Sequence, residues 1–181
     1  MSQLTIYAES DGDKPILATE DIDVIKSELD AAGIRLERWQ ADHDLTDDAD
    51  NDTIIAAYQP EIDRLVDERG YQTYDVVSMN PDHPEKESLR QKFLDEHTHS
   101  EDEVRFFVRG KGLFTIHAND RVYSMLCEKD DLISLPANTR HWFDMGPNPA
   151  FTAIRLFNNP EGWAANFTGD DIASRFPLLA N

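Results

Sequence analysis

The hydrophobic positions of this chain change period part-way along. Before residue 97 they recur mostly at helical spacing, and beyond it they fall into short alternating runs. Residues 3–8 alternate as a strand. Thr19 is placed to cap a helix, with Glu20, Asp21 and Asp23 in a first turn where the helix dipole favours anions. Ile22, Ile25, Leu29 and Ala32 form one apolar stripe that Gly33 ends, and Ile34, Leu36 and Trp39 suggest a strand. Residues 41–52 read as an Asp-rich solvated loop, because a Ca²⁺ loop would need a glycine and a closing Glu that are absent. A second helix is predicted from Pro60, with Ile62, Leu65 and Val66 inward and Gly70 as its stop. Residues 71–79 read as a buried strand rich in aromatic and β-branched side chains. A turn over 81–84 leads into a third helix opened by Pro84 and carrying Leu89, Phe93 and Leu94.

Strand-like runs then follow at 103–109, 112–118, 121–127, 131–135, 141–145 and 151–157. Their connections hold turn formers: 109–112 with two glycines, 118–121 with Asn-Asp, and 146–149 with Gly-Pro-Asn-Pro. Many short strands on tight turns predict an antiparallel sandwich or barrel of jelly-roll type. A short helix near 170–174 is expected before the end. Helices grouped early and strands late favour one α+β unit, mainly β, spanning residues 1–181 as a single domain.

Composition narrows the partners. A formal net charge of -19 argues against nucleic acid and anionic membranes. Asp exceeds Glu and Arg exceeds Lys, a bias that fits a salt-tolerant source. Cys127 is the single cysteine, so no intrachain disulfide can form, and it reads as a small buried apolar residue. No apolar run approaches the ~20 residues of a membrane span, and the first residues lack the basic start and apolar core of a signal peptide. A cytoplasmic, monomeric protein is expected.

The candidate chemistry lies in two segments. The first runs Glu96-His97-Thr98-His99-Ser100-Glu101-Asp102-Glu103, and the second runs from Leu135 through Pro136 and Asn138 to His141. His97 and His99, two apart on a strand, project to one face. Glu103 can join them if the chain turns between, and six residues on, Gly110 is placed in a hairpin turn after the Glu103 strand. Pro136 ends a strand, Asn138 tolerates a left-handed turn, and His141 opens the next strand as the third imidazole. Three neutral imidazoles and a carboxylate suit a first-row divalent metal. In octahedral geometry they leave two adjacent positions open, the pattern of a catalytic site. A polar cluster in a barrel mouth is the alternative. By strand parity Arg105 and Phe143 face inward with Glu103 and His141. A buried Arg beside a cation implies an anion to hold, unless it is a salt bridge to an acidic neighbour. Phe143 could equally be core packing. His43 and His83 read as exposed, and His117 could lie on either face.

These segments resemble the paired motifs of the cupin superfamily, and the longer pattern resembles the acireductone dioxygenase family in particular. The resemblance rests on Glu96-His97-x-His99-x-x-Asp102-Glu103-x-Arg105, on Pro136-x-x-Thr139-x-His141-Trp142-Phe143-Asp144-Met145-Gly146, on Arg155-Leu156-Phe157-x-x-Pro160-Glu161-Gly162-Trp163 and on Gly70-Tyr71-x-x-x-Asp75-Val76-Val77, covering most of the chain. It implies a cupin-type antiparallel jelly-roll β-barrel with the N-terminal helices packed outside. It implies one Fe²⁺ or Ni²⁺ per chain on His97, His99, Glu103 and His141. The implied substrates are 1,2-dihydroxy-3-keto-5-methylthiopentene and O₂, in methionine salvage. In the family, Fe²⁺ gives formate and 4-methylthio-2-oxobutanoate, whereas Ni²⁺ gives formate, carbon monoxide and 3-methylthiopropanoate. Arg105 matches the residue that helps form the substrate dianion. Glu96 and Asp102 match positions tied to metal incorporation or to relay of local conformational change. Phe93, Phe143, Arg155 and Trp163 are the candidates for the substrate pocket. Two departures stand out: Asp131 and Asn138 occupy places where cupins often carry Gly. Alternatives are another metal-dependent cupin enzyme, an isomerase or a different dioxygenase, or a non-enzymatic ligand-binding cupin. A sugar-phosphate isomerase would need basic residues that this acidic chain scarcely offers, and no basic helix-turn-helix points to a sensor.

Overall fold

One long strand organises the molecule, as a computed structural model describing residues 1–39, 45–46, 48–159 and 164–180 shows. This strand, β6 (Glu103–Ala118), belongs to both halves of the β-structure; the other strands are β1 (Gln3–Ala8), β2 (Asp11–Thr19), β3 (Arg35–Arg38), β4 (Thr73–Met79), β5 (His97–Thr98), β7 (Arg121–Glu128), β8 (Asp131–Leu135), β9 (Arg140–Asp144), β10 (Phe151–Phe157) and β11 (Asn166–Phe167). The first half of β6 pairs with β8 and β10, which carry β3 and β4 outside them. Its second half pairs with β7 and β9; β1 and β2 continue beyond β7, and β5 and β11 beyond β9. Among the described residues every pairing is antiparallel, giving the mainly-β, jelly-roll arrangement that the alternating pattern predicts.

Side-chain alternation along β6 sorts its residues between two cores. Val104, Phe106 and Val108 face outward onto helix α2 (Asn51–Arg69), packing with Ile54, Tyr58, Ile62 and Leu65. Phe107 and, past the bend, Phe114 and Ile116 face the interior, with Ile133, Phe143 and Phe151. Each such aromatic side chain, fully buried, contributes about 1.5–3 kcal/mol. Helix α1 (Ile22–Ala31) packs Ile25 and Leu29 against the same interior cluster. Helix α3 (Lys86–Leu94) has no fully buried residue and lies over β9, held by a two-pronged ion pair from Arg90 to Asp144 at 2.7 and 3.1 Å. Among the described residues no helix is long and apolar enough to cross a membrane.

The structure corrects several expectations. The glycines of 109–112 do not make a hairpin turn. Gly110 takes φ 74°, where a Cβ would stand 1.9 Å from the Ala150 carbonyl oxygen, and a Cβ on Gly112 would stand 2.5 Å from the Phe143 ring. They permit a kink and a close approach within one continuous strand rather than reversing the chain. Helix α2 starts at Asn51, not at Pro60. The Asp50 carboxylate caps it by accepting from Thr53 N at 2.8 Å, and the stripe of Ile54, Tyr58 and Ile62 carries the helix through the proline. The cap of α1 is Asp21, whose side chain accepts from Asp23 N and Val24 N, whereas Thr19 ends β2, a strand the alternation did not reveal. β4 is an edge strand, mostly half-buried, not a buried one. Of the acidic loop, residues 41–44 with His43 and residue 47 lie outside the described residues. Asn138 does adopt the left-handed conformation, at φ 65°. Cys127 is buried, which pushes its thiol well above the ordinary range. Asp131 is fully buried, its carboxylate accepting from Ser2 Oγ and from Glu128 N.

Candidate metal centre

Strand pairing assembles the centre. His97 of β5 sits opposite His141 of β9, and His141 sits opposite Ile116 of β6, so the imidazoles face the interior as one row. His99 follows two residues after His97. The three imidazoles are buried and offer nitrogen atoms all within 4.8 Å of one another. Two backbone ties bind the motif segments together: Asn138 N donates to the His99 carbonyl at 2.8 Å, and Ala137 N donates to Asp102 Oδ1 at 2.9 Å. Half-buried Asp102 thereby anchors the turn that delivers His141.

The tautomers follow from the outer partners. His97 Nδ1 lies 2.7 Å from the Asp95 carbonyl, His99 Nδ1 3.2 Å from that of Ala164, and His141 Nδ1 2.8 Å from that of Thr139. A carbonyl oxygen only accepts, so each Nδ1 must carry hydrogen, and a neutral ring then has its lone pair on Nε2. Glu103 Oε2 lies 2.7 Å from His141 Nε2 and 3.3 Å from His99 Nε2, yet it makes no hydrogen bond of acceptable geometry and is buried. Lone pairs aimed at one another in a dry interior require a cation between them, a proton or a metal ion. This is the arrangement a divalent ion fits.

Electrostatics point the same way. Burial, then the neighbouring His141, lower the His97 pKa to about 4, so this ring is neutral under ordinary conditions. Burial opposes the charge on Glu103, but His141 and Arg105 outweigh it and hold its carboxyl well below the usual range. Burial also opposes charge on His141, and Glu103 more than compensates, raising it.

Arg105 lies where parity predicts, 7% exposed, with Nε 3.1 Å from Glu103 Oε1. Its guanidinium stands 5.2 Å from the Phe143 ring and 5.6 Å from that of Phe114. Phe143 is thus a shelf beneath Arg105, and the bare Gly112 makes room for its ring. Across the strands, Arg155 is opposite Arg105 and Asp75 is opposite Arg155. Asp75 takes Arg155 by both oxygens, at 2.8 and 2.5 Å, which offsets the two facing like charges. Half-buried Phe93 reaches the centre from α3, its ring 6.4 Å from that of His97. Trp163 lies outside the described residues.

Glu96, which the resemblance ties to metal incorporation or conformational relay, is buried and serves as a tether. Its Oε2 lies 2.6 Å from His117 Nδ1, and its Oε1 accepts from Thr168 Oγ at 2.7 Å. His117 meets Glu9 Oε2 with its other nitrogen at 2.8 Å. Half-buried His83 lies away in its turn and accepts from Glu85 N. Sequence pattern leaves His117 undecided and gives no sign that Phe167 packs against His97. The kink at Gly110 complicates parity counts down to His117, and nothing in a polar stretch singles out a lone aromatic.

The match to known proteins covers the whole of this framework. A model of the ARD/ARD′ family matches residues 3–165. The chain belongs to that family. An acireductone dioxygenase of Cronobacter sakazakii is 59% identical over 180 residues, covering 99% of this chain and all of that one. One from Pseudomonas aeruginosa is 60% identical over 179 residues, covering 99% of each. Among solved structures, an acireductone dioxygenase from Bacillus anthracis with a cadmium ion in its active centre superposes with TM-score 0.80. It is 31% identical, and the match covers 92% of this chain and 98% of that one. Family membership and the three-histidine cluster together mark a metal-binding enzyme.

Proposed function

We infer that this protein is an acireductone dioxygenase of methionine salvage, cleaving 1,2-dihydroxy-3-keto-5-methylthiopentene with O₂, with His97, His99, Glu103 and His141 as ligands of Fe²⁺ or Ni²⁺. The observation that carries the ligand assignment is the set of three imidazoles with Nδ1 committed to backbone carbonyls, facing a buried carboxylate oxygen that has no proper hydrogen bond. Such a set, holding a divalent ion, supplies Lewis acidity toward enediol oxygens and a path for redox chemistry with O₂.

The remaining residues act on the substrate or hold in place the groups that do. Arg105 presents fixed positive charge in a dry interior, where it favours the doubly ionised enediol over the singly ionised one. The charge count is consistent: Glu103 offsets Arg105, Asp75 offsets Arg155, and two positive charges remain with a divalent ion in place. A dianion neutralises them. Phe143 fixes the plane of Arg105. Asp102 holds the turn before His141, and Glu96 holds the backbone before His97. Both thereby bear on how the ligands close around an incoming ion. Phe93 offers apolar surface for the methylthio tail, and Arg155 borders the substrate from beside Arg105.

The test is metal exchange followed by product analysis. Iron-loaded protein given the enediol and O₂ should form formate and 4-methylthio-2-oxobutanoate. Nickel-loaded protein should release carbon monoxide with formate and 3-methylthiopropanoate. Equal product ratios after verified exchange would remove metal control, and no oxygen uptake with any metal would overturn the assignment in favour of another metal-dependent cupin reaction.

A further inference from the structure

Phe167 lies beside the centre with no task in the chemistry above. In β11 it sits directly opposite His97, and His97 sits opposite His141. Directly opposed residues of an antiparallel pair project to the same face, so Phe167 extends the row of imidazoles outward. Its ring packs edge-on against His97, with centroids 5.8 Å apart. His97 is 1% exposed, whereas Phe167 is 57% exposed. Single exposed apolar residues are ordinary on a protein surface. This one differs in facing the ligand row and in being held there: the next residue, Thr168, donates from its N to the Glu96 carbonyl at 3.1 Å and from its Oγ to Glu96 Oε1. Phe93 stands against the same imidazole from α3.

We propose that Phe167 is a specificity-determining residue, supplying the outer apolar wall against which the substrate's non-reacting thioether tail packs. The proposal rests on the acireductone reading of the site. The enediol end is charged and would be drawn to Arg105 and to the divalent ion that His97, His99, Glu103 and His141 would hold. The methylthioethyl end is apolar and gains by leaving water, at roughly 0.8 kcal/mol per CH₂ or about fourfold in affinity. A Phe held at the exposed end of the ligand row offers that gain without touching a reacting atom. Tail length is therefore read at Phe167, and reactivity deeper in.

The experiment measures anaerobic binding of metal-loaded protein to acireductone analogues whose tails grow from hydrogen through ethyl to methylthioethyl, followed by the absorbance of the enediol. Wild type should gain about fourfold in affinity per added methylene. Phe167→Ala should bind the tailless analogue as wild type does and the full-length one about tenfold more weakly, with unchanged metal content and thermal midpoint. Phe167→Leu should fall between. In turnover the loss should appear in KM for the tailed substrate and leave kcat within about twofold. Equal tail dependence in Phe167→Ala and wild type would overturn the proposal, as would equal losses for tailed and tailless analogues, which would mark a structural role for the ring. Wild type that binds the series normally while the variant shows either result leaves the acireductone reading intact. Wild type that binds no member of the series overturns both.

Discussion

Two kinds of buried histidine, a cluster of three and a single ring, lie close together and are built on opposite plans. His97, His99 and His141 each spend one nitrogen on a backbone carbonyl and aim the other at a shared point. His117 is as well buried, but both its nitrogens are taken, by Glu96 on one side and Glu9 on the other. Imidazole and burial are common to both plans. The difference is whether Nε2 is left over, and a backbone carbonyl ensures that it is, because it fixes Nδ1 as the donor. The first plan suits a metal ligand and the second a structural cross-tie.

The sharpest way to break this contrast is to remove one ring from each group. His141→Ala should lower metal affinity by more than the ~10–100-fold typical of losing an outer partner. His117→Ala should keep about one ion per chain but lose about 1–3 kcal/mol of stability, since buried Glu96 loses a partner. Elemental analysis and denaturant titration read the two effects; an empty centre in the His117 variant would erase the distinction.

Next in size is Arg105→Ala, expected to hold its metal while kcat/KM falls ~10²-fold or more. Lys at that position should rescue only in part, because it lacks the planar fork that Phe143 supports. The bound enediol should lose its dianion absorbance in the Ala variant; an unchanged spectrum with normal turnover would return Arg105 to a plain salt bridge with Glu103.

A smaller effect concerns acid. In metal-free protein His97 titrates near 4 when folded, against about 6.5 in an unfolded chain. Between those values the unfolded chain carries a proton that the folded chain lacks, so stability falls as pH drops through that window. Apoprotein melting temperature should decline from pH 6.5 toward 5, before carboxylates elsewhere titrate, and His97→Gln should flatten the decline. A wild-type profile level across that range would refute the assigned shift. The smallest effect is expected from Glu9→Gln: Glu9 is 43% exposed, so its tie to His117 should be worth under about 1 kcal/mol, with metal content untouched.

How much was legible in advance depended on the range of the interactions involved. His97, His99, Glu103 and Arg105 could be placed because strand parity is local, and Asn138 because its backbone conformation is a property of the residue. In sequence the run from 103 to 118 reads as two strands, because Gly110 and Gly112 look the same whether they turn a chain or let Ala150 and Phe143 approach. Sequence pattern starts helix α2 at Pro60 because proline is a common first residue, and Asp50, its actual cap, is one of many neighbouring aspartates. Glu96 and His117 are 21 residues apart and Phe167 is 70 beyond His97; such pairings depend on strand order across the sheet, which alternation does not encode.

The carbonyl of Ala164 has one more consequence. It orients His99, yet it lies 65 residues further along the chain, well past the last proposed ligand at 141. A polypeptide emerging from the ribosome exposes all four proposed ligands before it exposes this brace, and β10, which closes one half of the sheet, also arrives late. The proposed ligands of a nascent chain are therefore present before His99 is oriented. Orienting His99 requires the segment around residue 164 to have folded against it, not only the two segments that carry the imidazoles.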